Sequence, residues 1–197
     1  MDDEDPTDLH LSDAVDAVVK HLEDNDLRNV TLVAHSWGGF PATGATHRVA
    51  ERLRKVVYWS AFVPAAGRSL CDEIPPEAAA GFAQLADASP NTTIPLPFEV
   101  WQSTFMNDAP EPVQRTAHAL LSPQPFRYFT ETVESFDLSS GIPVSYILSS
   151  DDLALPHGAG GPGHFAERLG TAPVLIPGSH EGCFTQPSRL TEAILAV

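Results

Sequence analysis

The feature that most constrains the fold of this chain is an apolar run that stops at a serine and continues as a turn of small residues. Residues 30–40 read V-T-L-V-A-H-S-W-G-G-F, so a strand pattern ends at Ser36 and a helical pattern follows Gly39. A sharp, strained turn between a strand and a helix exposes a serine hydroxyl for nucleophilic attack. Such a turn requires small residues two positions before and after the serine, here Ala34 and Gly38. The pattern predicts a nucleophile at Ser36.

The same turn predicts one half of a site for an oxyanion. The amide N–H of Trp37 is expected to face the developing negative charge, close to the N-terminus of the next helix. Gly39 is expected to let that helix pack closely. His35 is adjacent to Ser36 in the chain, so we expect it to pack beneath the turn rather than to act as a base. Ser-x-Gly-Gly is also a common turn sequence, and the prediction therefore depends on the flanking strand and helix.

A nucleophilic serine needs a base and an acid that orients this base, and two later strand patterns end at such residues. Residues 143–150 run directly into Asp151 and Asp152, and residues 173–177 lead into a loop that contains His180. The chain order of serine, aspartate and histidine, each beyond the carboxyl end of a parallel strand, is that of the α/β-hydrolase triad. Spacing alone leaves both aspartates as candidates for the acid.

The remaining histidines show no spacing typical of a metal site, such as H-x-H or H-E-x-x-H. The sequence therefore predicts neither a metal nor an organic cofactor. We expect the following residues on solvated faces or in a cap region: His10, His21, His47, His118, His157 and His164.

Composition favours one globular domain and disfavours some partners. A chain of 197 residues with 43% hydrophobic content can bury one sizeable core. A formal net charge of −15 would repel nucleic acids and anionic membranes. No segment approaches the roughly 18–20 apolar residues of a membrane span, and the acidic amino end is unlike a secretory signal, so we expect a cytoplasmic location.

Two cysteines, Cys71 and Cys183, lie far apart in the sequence. We expect free thiols, with a disulfide between them as the alternative. Nothing around Cys183 matches the signature of a cysteine nucleophile, so we interpret it as a pocket or core residue.

Strand and helix patterns alternate along the chain. An apolar stripe at helical spacing from Leu11 to Leu22 predicts a helix, and residues 55–62 predict a further strand. Alternation of this kind favours an α/β fold with a mostly parallel sheet flanked by helices, in a single domain over 1–197. From about 64 to 137, short helical pieces punctuated by prolines predict a helical cap inserted over the strand ends.

Several apolar side chains could line a substrate pocket beneath this cap. Phe62, at the end of the predicted strand 55–62, is one candidate. The candidates in the cap are Trp101, Phe105, Met106, Phe126, Tyr128 and Phe129. For each of these six, the alternative is that the side chain only packs within the cap and stabilises it.

Four stretches of the chain resemble one known family. A-H-S-W-G-G, K-V-V-Y-W-S-A-F-V-P, D-L-A-L-P and P-G-S-H-E-G-C-F-T-Q-P are similar to α/β-hydrolase-fold esterases related to plant methylesterases and hydroxynitrile lyases. The resemblance extends from about Leu9 onward and implies a serine-hydrolase mechanism on small esters or related carbonyl compounds. It favours Asp152 as the acid, since D-L-A-L-P resembles the acid loop of the family. In the lyases a lysine follows the catalytic histidine; here that residue is Glu181, which disfavours cyanohydrin cleavage.

The chain departs from this family before its first helix. Family members carry several further strands there, and a His-Gly loop that donates the second oxyanion N–H, whereas this sequence begins M-D-D-E-D-P-T-D. Loss of one oxyanion donor costs about 10²–10³ in rate, and a sheet edge without a neighbour needs a cover. We therefore expect a second chain on that edge, as in a homodimer, or a shortened and weakened hydrolase, or an incomplete chain.

Taken together, these patterns predict a hydrolase that acts on a small-molecule ester. Ser36 would attack the carbonyl, His180 would accept and return the proton, and Asp152 would fix the imidazole tautomer. The alternative is a non-hydrolytic descendant of the same fold, a lyase, cyclase or partner-binding protein, that kept the turn but lost the complete oxyanion hole.

Overall fold

The structure, a computed structural model, describes residues 5–155 and 163–197. Within these ranges the strands are β1 (Val30–Ser36), β2 (Leu53–Ala61), β3 (Thr93–Ile94), β4 (Gln124–Pro125), β5 (Val144–Ser149) and β6 (Val174–Ile176). The α-helices are α1 (Leu11–Asp24), α2 (Gly39–Val49), α3 (Pro76–Ala88), α4 (Phe98–Val100), α5 (Glu111–His118), α6 (Arg127–Thr130), α7 (His164–Arg168), α8 (Gly182–Thr185) and α9 (Pro187–Ala196). Shorter turns are the 3₁₀ segments Pro6–Asp8, Ala50–Arg52 and Leu70–Asp72 and the π-helical segment Trp101–Phe105.

The described core is a parallel sheet in the order β1-β2-β5-β6. Successive residues of β2 point to opposite faces, as the pleat of a strand requires. Val56 and Tyr58 pack with the α1 and α2 side of the core, whereas Val57 and Trp59 pack with Leu190 of α9. The predicted α/β fold with flanking helices is confirmed, and the carboxyl ends of the strands share one rim.

Helix α1 buries the apolar stripe that the sequence predicts. The buried residues on this stripe are Leu11, Ala14, Val15, Val19 and Leu22. Its N-terminus is bound by Glu131, which lies just after α6: one carboxylate oxygen accepts a hydrogen bond of 2.8 Å from the Leu11 amide. The other oxygen lies 2.7 Å from Nδ1 of His10. A carboxylate at a helix N-terminus is favoured by the helix dipole, so this contact ties the end of the insertion to α1.

The segment between β2 and β5 is the predicted helical insertion. It contains α3 to α6 and an antiparallel β3-β4 pair that the sequence analysis did not anticipate. Trp101, Met106 and Ala117 form a small core of its own. The single-domain division and the cap bounds of about 64 and 137 stay predictions.

An ion-pair cluster ties the start of the insertion to α7. Arg168 reaches Glu73 with a contact of 2.8 Å and also donates to the backbone oxygen of Val63 at 2.7 Å. Arg68 donates to the same carboxylate at 3.0 Å.

No helix in the described ranges is long and apolar enough to cross a membrane.

The structure tests two predictions about the cysteines, and a further two residues named in the sequence analysis lie outside its described ranges. Cys71 and Cys183 are free, as expected. Cys183 is exposed, so its interpretation as a pocket or core residue is wrong; it follows the first residue of the short helix α8 on the solvent side. His157, and Pro156 of the D-L-A-L-P loop, lie outside the described residues.

Candidate active site

The turn around Ser36 has the strained geometry that the sequence predicts. Ser36 is the last residue of β1 and has a φ of 53°, in the left-handed region that an L-residue adopts at a cost of about 1–3 kcal/mol. The Gly38 amide donates to the His35 oxygen at 2.8 Å and closes the turn. A Cβ at Gly38 would lie 2.7 Å from that oxygen, and a Cβ at Gly39 only 1.8 Å from the Phe62 oxygen. Both glycines are therefore required for close backbone approach.

Trp37 has a fixed side chain and an available amide. Its indole N–H donates to the backbone oxygen of Tyr128 at 3.1 Å, and its ring stacks on the Tyr128 ring with 4.8 Å between the ring centroids. Among the hydrogen bonds of the described residues, none uses the Trp37 backbone N–H. This amide precedes α2, as an oxyanion donor at this turn must.

Asp152 and His180 form a buried pair at the ends of β5 and β6. Nδ1 of His180 lies 2.8 Å from Oδ2 of Asp152, and each side chain is only 1% exposed. The other carboxylate oxygen, Oδ1, accepts from the Ala154 amide at 2.8 Å. Burial alone would raise the pKa of Asp152, but the hydrogen bond and charge of His180 outweigh it and lower that pKa. Asp151, the other candidate acid, is exposed and accepts from the Gly178 amide instead.

Ser60 is a residue of this site that the sequence analysis missed. It lies fully buried in β2 with a φ of 41°, beside the register shift between β1 and β2. Its hydroxyl oxygen accepts from the Ser149 amide at 3.1 Å, and the hydroxyl also helps to lower the pKa of Asp152. A polar residue inside the apolar strand pattern 55–62 is the signal that could have revealed it.

His35 packs beneath the turn, as predicted. Its ring stacks on Trp59 at 4.0 Å and lies 4.5 Å from the ring of His180. Its Nε2 bonds to the backbone oxygen of His180 at 2.9 Å. Burial and the neighbouring His180 lower the pKa of His35 to about 3, so this imidazole is neutral at physiological pH.

The structure joins two of the three predicted triad residues by a hydrogen bond and places the third nearby. His180 packs against His35, the residue immediately before Ser36. No hydrogen bond joins the Ser36 hydroxyl to His180, since Nε2 of His180 is buried without a partner in the described parts of the chain. Catalytic hydrogen bonds are often long or poorly aligned before substrate binds, so the missing bond does not remove Ser36 and His180 as candidate partners.

A small apolar cavity of about 150 Å³ opens at Ser36. Three of the predicted pocket residues line it: Phe62, Phe105 and Phe129. The other described lining residues were not predicted as pocket residues: Trp37, Leu70, Ile74, Phe82, Ile94, Leu96, Gln124 and Ala154. An apolar cavity of this size can hold a group as large as one benzene ring.

Two predicted pocket residues do not line the cavity. Trp101 is 1% exposed in the core of the insertion, and its indole N–H donates to the backbone oxygen of Gln114 at 2.9 Å. Phe126 packs against the main hydrophobic core. Of the other candidates, Met106 lies with Trp101, and Tyr128 lies under Trp37 on a neighbouring groove. Each of these side chains is held by a packing partner other than the cavity.

Comparison with known proteins agrees with this fold. The model of the alpha/beta hydrolase family matches residues 1–193, and the chain therefore belongs to this family. A curated relative, the carbendazim hydrolyzing esterase of Nocardioides sp. (strain SG-4G), is 43% identical over 65 residues. That match covers 31% of this chain and only 27% of the relative, about a quarter of its length.

Solved structures show the same likeness over most of the chain. An extracellular alpha/beta-hydrolase from a Paenibacillus species, described as sharing structural and functional homology with tobacco salicylic acid binding protein 2, has a TM-score of 0.88 and 28% identity. The alignment covers 96% of this chain and 80% of that one. A pyrethroid hydrolase from Sphingobium faniae JZ-2 is 20% identical with a TM-score of 0.71, over 95% of this chain and 77% of its own, and supports the fold alone.

Proposed function

We propose that this protein is an esterase that cleaves small carboxylic esters through an acyl-enzyme on Ser36. The observation that carries the proposal is the buried contact of 2.8 Å between Nδ1 of His180 and Asp152, beside a serine with a φ of 53°. An ionised aspartate on Nδ1 fixes the tautomer in which Nε2 is the proton acceptor. The membership of the chain in the alpha/beta hydrolase family, and its likeness to an esterase, support this assignment.

The chemistry would proceed in two acyl-transfer steps. Oγ of Ser36 attacks the ester carbonyl carbon while its proton moves to Nε2 of His180, and the carbonyl oxygen becomes an oxyanion facing the Trp37 amide. Collapse of this intermediate breaks the bond to the alcohol, which leaves with the proton from His180. Water then attacks the acyl-enzyme with His180 as the base, releases the acid and restores the serine.

The cavity favours an uncharged apolar group in the acyl part of the substrate. The lining residues that the structure describes carry no charged side chain, and the cavity volume of about 150 Å³ suits a short chain or a single ring. Within residues 5–155 and 163–197, Gln124 is the polar side chain besides Ser36 that the lining offers, because the indole N–H of Trp37 is bound to the backbone oxygen of Tyr128.

Turnover of p-nitrophenyl acetate by the wild type and by Ser36→Ala tests the proposal. Loss of the nucleophile should lower kcat by at least about 10³-fold. Ser188→Ala, an exposed serine on α9, is the matched control and should retain the wild-type rate. Equal rates for Ser36→Ala and the wild type would remove Ser36 from the mechanism.

Labelling with a fluorophosphonate separates the esterase from a non-hydrolytic descendant of the fold. Covalent modification of Ser36 in the folded protein, absent in Ser36→Ala, supports the esterase. A folded sample in which Ser36 does not react supports the descendant instead.

A homodimer and a cytoplasmic location stay predictions from the sequence. In the described sheet β1 pairs with β2 on one side only, and Val33 of β1 is 39% exposed. Size-exclusion chromatography should show more than a monomer if a second copy covers this edge. A clean monomer would contradict the homodimer.

A further inference from the structure

His180 and two neighbouring residues, His35 and Glu181, are potential metal ligands that no step of the proposed mechanism uses together. One ring nitrogen of His35, one ring nitrogen of His180 and one carboxylate oxygen of Glu181 lie within 4.8 Å of one another. We propose that these three residues bind a divalent transition metal, with Zn²⁺ as the best fit, and that this metal inhibits the enzyme. The binding stands on its own, and the inhibition rests on the proposed esterase function.

Both histidines have the hydrogen-bond pattern that metal-binding histidines show. A ligating imidazole almost always donates its second ring N–H to a carboxylate or a backbone oxygen, which fixes the tautomer and raises the basicity of the free nitrogen. Nδ1 of His180 lies 2.8 Å from the Asp152 carboxylate, and Nε2 of His35 lies 2.9 Å from the backbone oxygen of His180. Nε2 of His180 and Nδ1 of His35 are therefore the nitrogens with a lone pair to offer.

His180 supplies an independent sign that a ligand belongs here. Its side chain is 1% exposed, yet its Nε2 has no hydrogen-bond partner in the described residues. Buried polar atoms are nearly always satisfied, and each exception calls for an explanation. A metal ion and the Ser36 hydroxyl are two groups that could occupy this lone pair, and they would exclude each other.

The donor set and the local charge select the kind of ion. Two imidazole nitrogens and one carboxylate suit Zn²⁺, whereas Ca²⁺ and Mg²⁺ prefer oxygen ligands. The carboxylates of Glu181 and Asp152 together supply two negative charges to a divalent cation. Ligand atoms of a tetrahedral zinc site lie about 3.4 Å apart, so the three side chains, which each have a donor atom within 4.8 Å of the others, must move closer together when an ion binds.

Cys183 stands beside the site on its solvent side. Its Sγ is 3.7 Å from Oε2 of Glu181, and the residue is exposed. The neighbouring Glu181 is partly exposed, so the carboxylate of this ligand set can be reached from solvent. A zinc ion bound by three protein ligands would keep one position open for water or a fourth ligand.

Metal bound at Nε2 of His180 would stop proton transfer. The lone pair that must accept the Ser36 proton would be held by the ion, so no alkoxide could form. Removal of the ion by a chelator should restore full activity, because no covalent bond is made or broken.

The binding is tested by titrating the Ser36→Ala variant with Co²⁺, a spectroscopic substitute for Zn²⁺, followed by competition with Zn²⁺. We expect one saturable site with the visible absorption of a low-symmetry Co²⁺ complex, displaced by Zn²⁺. Glu181→Gln should weaken binding at least about tenfold, as removal of a ligand must exceed the loss of an outer-shell partner. Glu192→Gln, which removes an exposed carboxylate on α9, is the matched control and should change nothing.

This control is needed because a net charge of −15 provides many weak carboxylate sites. No saturable Co²⁺ spectrum, or equal weakening by both glutamine variants, would overturn the site. Circular dichroism of each variant verifies folding. A second probe, His180→Ala in the Ser36→Ala background, should also abolish the spectrum.

Inhibition is measured as p-nitrophenyl acetate turnover by the wild type in Zn²⁺ buffers, with reversal by a chelator. The Zn²⁺ concentration that halves the rate should match the Kd from competition. Binding without inhibition would overturn the assignment of Nε2 as a ligand. A wild type without esterase activity would defeat the proposed function but leave the Co²⁺ result intact, so the two failures are distinguishable.

Discussion

The rim of the parallel sheet and the insertion between β2 and β5 position their side chains by different means. At the rim, Ser36 ends a strand, and Asp152 and His180 follow directly after strands, so the ladder of the sheet determines where they meet. In the insertion, Phe126 and Phe129 lie one helical turn apart, yet only Phe129 lines the cavity. Backbone hydrogen bonds define the first arrangement, and side-chain packing between short elements defines the second.

This difference implies that the two regions should respond differently to mutation. The rim has close backbone contacts, such as the approach of Gly39 to the Phe62 oxygen. The insertion has a small core of its own and meets the rim at the stacked rings of Trp37 and Tyr128. Changes at the rim should therefore act on folding or on chemistry, and changes in the insertion on local stability and substrate selection.

The largest effect is expected from adding one methyl group to Gly39. The new Cβ of Gly39→Ala would lie 1.8 Å from the Phe62 backbone oxygen, a distance that no rotation of a side chain can relieve. We expect a loss of more than about 4 kcal/mol in the free energy of unfolding, or failure to fold. Chemical denaturation measures it.

Gly81→Ala in α3 is the matched control within the insertion. A Cβ at Gly81 meets nothing within 4 Å, and alanine is about 0.8–1.0 kcal/mol better than glycine in a helix interior. We therefore expect this variant to be as stable as the wild type or more so. A similar loss of stability in both alanine variants would contradict the contrast between the two regions.

The same contrast explains which features could be predicted from the sequence. Ser36, Gly38 and Gly39 were predictable because the turn depends on residues that are neighbours in the chain. Asp152 and His180 were predictable because parallel strands present their carboxyl ends at one rim. Such local and topological rules need no knowledge of side-chain packing.

The features that the sequence analysis missed depend on tertiary contacts. The hydroxyl of Ser60 reaches Asp152 only because β2 lies next to β5. Trp101 and Phe126 were wrongly expected in the cavity, since the elements that carry them are too short to show which face is buried. The exposure of Cys183 likewise depends on how α8 sits on the sheet.

An intermediate effect is expected at Glu73, where the insertion is tied to α7. Its side chain is 4% exposed and contacts Arg168 at 2.8 Å. Burial alone would raise the pKa of Glu73, but Arg168 and Arg68 outweigh it, so the folded pKa lies below the usual 4.5. Stabilisation from this carboxylate is therefore complete above pH 4.5 and is lost as pH falls through the lower folded value.

Glu73→Gln should lower the free energy of unfolding at pH 7 by about 2 kcal/mol, because charged hydrogen bonds to arginine are replaced by neutral ones. The difference between variant and wild type should shrink as pH falls below the folded pKa, where the wild type is protonated too. Urea unfolding between pH 7 and pH 3 measures both trends. Glu77→Gln, an exposed acid in α3, should show neither, and a pH-independent loss in Glu73→Gln would rule out the ion pair as its cause.

The smallest effect is expected from Phe129→Leu, with Phe126→Leu as its comparison. The two variants test whether a side chain that lines the cavity affects catalysis more than one that only packs nearby. Both side chains contact the main hydrophobic core, but Phe129 also lines the cavity and meets Phe82 edge-on at 5.4 Å, whereas Phe126 does not line it. Loss of part of a ring from the cavity wall should cost about 1 kcal/mol in transition-state binding, roughly fivefold in kcat/KM. The measurement is kcat/KM for p-nitrophenyl esters of short acids.

Phe126→Leu should change kcat/KM less than twofold while also lowering the free energy of unfolding, because its ring is partly buried against the core. Equal fluorophosphonate labelling of Ser36 in both variants would show that the nucleophile is intact, so that a difference in kcat/KM reports the cavity alone. If instead kcat/KM falls equally in the two variants, then packing changes anywhere in the insertion alter the geometry at the rim. The contrast between the two regions would then be wrong.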